Sequence, residues 1–60
     1  MAKHILRMSA LTTKVGESKA TIYRQITRGE FPRPIKLSTR SVGWLEDEID
    51  HWLESRPRSK

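Results

Sequence analysis

Apolar positions fall into short groups whose spacing changes along the chain. Leu11 and Val15 lie four apart, and so do Ile22 and Ile26, each pair marking one face of a short helix. Ile35 and Leu37, then Val42 and Trp44, alternate with polar or small residues at the two-residue period of a strand. Leu45, Ile49, Trp52 and Leu53 recur at i, i+4, i+7 and i+8, which predicts a third helix over about 45–55.

Turn and cap residues divide these groups. Ser9 is placed to N-cap the first helix and Gly16 to end it, although Thr12 and Thr13 lower its intrinsic propensity. Ser18 is placed to N-cap the second helix, and Gly29 stands where a helix commonly stops in a left-handed residue. Pro32 and Pro34 then hold an extended link with Phe31 as a core plug, and Ser38–Ser41 makes a polar turn between the two strand patterns. Ile5, Leu6 and Met8 read as an extended segment at the core edge. Two helices joined by a glycine-containing turn make a helix-turn-helix. With the hairpin as its wing, the expectation is a mainly α winged helix-turn-helix of three helices and a two-stranded wing. The domain is expected to span 1–55, followed by a flexible basic tail over 56–60.

Length and charge narrow the function. Sixty residues without cysteine form one small domain with neither a disulfide nor a cysteine-based metal site. His4 and His51 are too far apart in sequence to suggest metal ligation, so no metal and no cofactor are expected. No apolar run is long enough to span a membrane and no signal-peptide pattern is visible, so the expected location is the cytoplasm. The net charge is +5 and unevenly placed. Residues 1–40 hold nine Lys/Arg against two acids, whereas 41–60 hold three against five. The excess of cations over the second helix and hairpin suits a polyanion.

Catalytic chemistry finds no footing. There is no glycine-rich phosphate loop, no cysteine nucleophile, and no Ser-His-Asp set that so short a chain could assemble, so an enzyme is not expected and no small-molecule ligand either. Glu46, Asp47, Glu48 and Asp50 fit a helix N-terminus and a solvated face. Double-stranded DNA, by contrast, needs a helix for the major groove, cations for phosphates and a few side chains for base edges. The helix over 18–28 supplies the first, with Ile22 and Ile26 on its inner stripe and Thr21, Arg24 and Arg28 on the outer side. Arg24 and Thr21 are the candidates for base edges, because arginine bonds guanine O6 and N7 together. Lys19 can reach a base or phosphate, and Arg28 a phosphate. Tyr23 borders the apolar stripe, with its hydroxyl free to donate to a phosphate. In the wing over 35–44, Lys36 is expected to point outward, and Arg40 at the tip to enter a minor groove or grip the backbone. Arg33, between two prolines, is a weaker phosphate candidate. Trp44 and Trp52 read as core, so the third helix is a prop.

These residues come in linked blocks. Ser18-Lys19-Ala20-Thr21-Ile22-Tyr23-Arg24, Gly29-Glu30-Phe31-Pro32-Arg33-Pro34-Ile35-Lys36-Leu37, Arg40-Ser41-Val42-Gly43-Trp44 and Glu48-Ile49-Asp50-His51-Trp52-Leu53 together resemble the AlpA-like prophage regulators, over about residues 5–55. That family is related to the MerR-like and excisionase-like winged helix-turn-helix domains. The resemblance implies a transcriptional regulator of phage or genomic-island origin, with DNA-reading residues at Lys19, Thr21, Tyr23, Arg24 and, at the wing, Arg40. RNA polymerase or a recombinase would be its protein partner. The chain departs from the commoner pattern at Glu17 and Gln25, places often apolar in such motifs. Two other readings stand beside a regulator: an excisionase-like factor that bends DNA for site-specific recombination, and a protein-interaction module such as an antitoxin.

Overall fold

A computed structural model describes residues 4–57. Six elements follow in order: β1 (Ile5–Leu6), α1 (Met8–Val15), α2 (Lys19–Thr27), β2 (Ile35–Lys36), β3 (Val42–Leu45) and α3 (Glu46–Ser55). They form a winged helix-turn-helix. None of its described helices is long and apolar enough to cross a membrane. Residues 58–60 of the expected tail lie outside the described residues.

The helix-turn-helix is set by local chemistry. Gly16 ends α1 at φ 74°, and its N–H donates to the Thr12 carbonyl at 2.9 Å. A left-handed residue of this kind closes a helix with little steric penalty only when it is glycine. Two residues on, the Ser18 hydroxyl accepts the Thr21 N–H at 3.2 Å and so caps α2. Gly29, at φ 75°, lies just past the far end of α2, beyond the Arg28 cap. The start of α1 differs from expectation. Arg7 stands at the N-cap without a side-chain bond, one residue ahead of Met8, and Ser9 lies inside the helix. Long-range pairing overrides the local cap preference here. Strand β1 is held against β3 through Leu6, so the chain must turn into its helix immediately.

The sheet has three strands rather than two, in the order β1-β3-β2, with both pairings antiparallel. Ile5 faces Leu45 and Leu6 faces Trp44, while Ile35 faces Gly43 and Lys36 faces Val42. Directly paired residues share a face. Leu6, Trp44 and Val42 therefore line the inner face, and Ile5, Gly43, Leu45 and Ile35 the outer one. Ile35 and Leu37 are accordingly 37% and 41% exposed. Lys36 is exposed as expected, but it lies on the Val42 side at the sheet edge, while its apolar neighbours point out. Gly43 is required by close approach: a Cβ there would sit 2.6 Å from Ile5 Cγ2 and 3.1 Å from Leu37 Cδ1.

Leu6, Leu11, Ile22, Phe31, Trp44 and Ile49 make the core, one or more from nearly every element. Val15, Ile26, Val42 and Trp52 pack against it from the half-buried margin. Trp52 is thus not a core residue of Trp44's kind. Its ring lies 4.5 Å from that of Phe31, tilted at 56°. β3 runs into α3 without a linker, since Leu45 is both the last strand residue and the N-cap of α3. Three acids occupy the first turn of α3, where the helix dipole favours them.

Candidate nucleic-acid interface

Each side chain nominated for DNA contact is placed by α2 or the wing. Lys19 opens α2 and is exposed, as are Arg24 and Arg28 on the side away from Ile22. Thr21 is half-buried, and its Oγ1 accepts from the Ser18 hydroxyl at 3.0 Å. That bond uses a lone pair and leaves the Thr21 hydroxyl proton free to donate. Tyr23 is 42% exposed, more open than a ring bordering the core stripe would be. Arg40 lies in the tip of the wing with its N–H directed to Ser38 Oγ at 3.4 Å. The tip itself is closed by the Leu37 N–H donating to the Ser41 carbonyl at 2.8 Å.

Ion pairing divides the charges into two sets. Lys14, on α1, reaches Asp50 at 2.9 Å and Glu46 at 3.4 Å, and His4 Nδ1 approaches the other Glu46 oxygen at 3.2 Å. The hydrogen bond to Asp50 holds the Lys14 ammonium above the ordinary lysine value; desolvation opposes this, and Glu46 adds to it. Among the described residues, Lys19, Arg24, Arg28, Lys36 and Arg40 have no acidic partner within ion-pair distance. Glu46 and Asp50 of α3 therefore hold α1 and the N-terminal segment, while the cations of α2 and the wing remain available to an external anion.

Two features escape sequence reading. Lys14 counts toward the basic half of the chain yet is neutralised by residues 32 and 36 positions away. The segment joining α2 to the wing is gripped by both indoles: Trp44 Nε1–H donates to the Pro32 carbonyl at 2.9 Å, and Trp52 Nε1–H to the Glu30 carbonyl at 2.9 Å. Only long-range packing reveals such bonds, although a tryptophan near a proline-rich link is the one available hint. Arg56, read as the start of a tail, lies 5.0 Å over the Trp52 ring.

Gln25 occupies a place often apolar in such motifs. It is half-buried, and its Oε1 is shielded from solvent without a bonding partner among the described residues. Leaving such an acceptor unpaired costs about 1–3 kcal/mol. Glu17, the other departure, is simply exposed. An open groove of about 620 Å³ runs between α3 and the 32–35 segment, lined by Arg33, Asp47, Glu48, His51 and Trp52 among others. None of the nominated α2 or wing cations lines it.

Comparison with known proteins agrees with this architecture. Residues 4–57 match the family model described as prophage CP4-57 regulatory protein (AlpA). The DNA-binding transcriptional activator AlpA of Escherichia coli (strain K12) is 41% identical over 61 residues, covering 92% of this chain and 87% of that protein. The uncharacterized protein ORF88 of Enterobacteria phage P4 is 35% identical over 54 residues, covering 90% of this chain and 61% of that protein. The chain belongs to the AlpA family of prophage regulatory proteins.

Proposed function

We propose that this chain is a sequence-specific regulator of transcription that binds double-stranded DNA, with α2 in the major groove and the wing on the minor groove or backbone. The observation that carries the reading is the division of charge: among the described residues five exposed cations on α2 and the wing have no acidic partner, while Glu46 and Asp50 of α3 pair with Lys14, and Glu46 also with His4. Phosphate-contacting surfaces need unpaired cations, and a helix such as α2 suits a major groove. Arg24 and Thr21 read base edges. Lys19, Tyr23, Arg28, Lys36 and Arg40 position the protein through the backbone or, for Arg40, through the minor groove. The E. coli relative is a DNA-binding transcriptional activator, which supports a regulatory consequence of that binding.

Selection of bound duplexes from a random pool tests the reading. One recovered site is expected, and Arg24→Ala should weaken it by about 1–3 kcal/mol while relaxing preference at one base pair. Equal loss on every sequence would make Arg24 a phosphate contact. A pool with no enriched site would overturn sequence-specific recognition.

A further inference from the structure

We infer that Trp52, which lies outside α2 and the wing, is a positioning residue for DNA binding: its indole N–H locks the end of the recognition helix to the unit that carries the wing. The inference rests on the DNA-binding reading above. The link between α2 and β2 is anchored by the buried Phe31 side chain, but its backbone has few bonds of its own to the rest of the fold. Pro32 and Pro34 have no N–H, and among the described backbone bonds the link's own donors, Gly29 and Glu30, bond only to carbonyls of α2, those of Ile26 and Gln25. From the other side the link is tied by two indoles. Trp44 belongs to β3, the wing's second strand, and takes the Pro32 carbonyl. Trp52 belongs to α3, which continues β3 without a linker, and takes the Glu30 carbonyl.

α3 therefore acts as a lever. It leaves the wing strand at Glu46 and returns, roughly 9 Å along its axis, to grip the residue that follows Gly29. Stacking fixes the Trp52 ring in that position, against Phe31 at 4.5 Å and under the Arg56 guanidinium at 5.0 Å. Two DNA-contacting elements on one chain bind together only as well as their spacing is held. Loosening it lowers the effective concentration of the second element once the first is bound. Trp52 supplies that constraint at a half-buried position where the ring can be altered, whereas Trp44 is wholly buried.

Trp52→Phe keeps a ring against Phe31 and removes the N–H. The clamp predicts at least a fivefold loss of affinity for the selected duplex with cooperative melting retained. In an Arg40→Ala background the same change should cost clearly less than in the wild type, because the wing is then left with only the Lys36 contact to be held in place. A double-mutant cycle reads that coupling directly. Wild-type affinity in Trp52→Phe, or the same loss with and without Arg40, would overturn the inference and leave the DNA-binding reading intact. A wild-type chain that binds no duplex would overturn that reading instead. Should Trp52→Phe fail to fold, hydrogen exchange of the Trp52 indole N–H in the wild-type chain decides the matter. The clamp predicts exchange at least tenfold slower in the DNA complex than in the free protein, and equal rates would contradict it.

Discussion

α2 and α3 are helices of nearly equal length, nine and ten residues, and each fully buries a single isoleucine, Ile22 or Ile49. Their outer faces differ in kind. α2 presents Lys19, Arg24 and, at its C-cap, Arg28, with no acidic partner among the described residues, while α3 carries acids of which Glu46 and Asp50 are bonded to Lys14. The difference teaches that net charge alone misplaces the surface. On the proposed reading the cations that matter are those the fold leaves unpaired, and Lys14 is not among them, because Glu46 and Asp50 engage it. By the same reading, one half of this small domain is organised for contact and the other for rigidity. Substitutions of buried or closely packed residues should therefore change stability, and those of the unpaired cations the response to salt.

The largest effect is expected at Trp44, which is fully buried and also bonds Pro32. Trp44→Ala should cost about 3–5 kcal/mol, enough to abolish the cooperative thermal transition by circular dichroism in a domain of marginal stability. A retained transition near the wild-type midpoint would show that the supporting half is not what holds the fold. Gly43→Ala comes next. Its new Cβ would press on Ile5 and Leu37 over the outer sheet face, and overpacking of this kind costs about 1–3 kcal/mol. Denaturant titration should report that loss, and an unchanged midpoint would mean that β1 yields freely.

The smallest effect is expected at Lys14. Lys14→Gln should lower the melting temperature slightly, an effect that high salt removes, since the pair is solvent-accessible. It should leave DNA affinity unchanged, and a loss of affinity would place Lys14 in the contact half. The pH dependence has a defined sign. The folded-state value is raised above the unfolded one, so the contribution is complete below the ordinary lysine range and fades as pH climbs through the folded value. Melting of wild type and Lys14→Gln should thus differ at neutral pH and converge in strong alkali.

What could be read from the sequence was what local chemistry decides. Gly16 closes α1, and Ser18 and Gly29 flank α2, through bonds to residues three or four positions away, and Phe31 fills the core because no other large apolar residue stands between α2 and the wing. β1 was legible as an extended segment at the core edge, with Met8 instead opening α1, but not as a strand of the sheet. It is two residues long, and its identity resides in pairing with a distant part of the chain, Ile5 with Leu45 and Leu6 with Trp44. The same holds for the site. Exposure of Arg24, Arg28 and Arg40 follows from helical period and turn position, whereas the neutralisation of Lys14 and the indole bonds to Glu30 and Pro32 depend on residues brought together only by folding.

The central claim is that the unpaired cations of α2 and the wing meet phosphate and that the paired one does not. The salt dependence of affinity for a selected duplex tests it most directly, measured for the wild type, Arg28→Ala, Arg40→Ala and Lys14→Gln. Log affinity should fall linearly with log salt, by about 0.9 for each phosphate neutralised. The slope should become shallower by roughly one for each arginine removed and stay unchanged for Lys14→Gln. A slope that ignores both arginines, or one that changes with Lys14, would contradict the account.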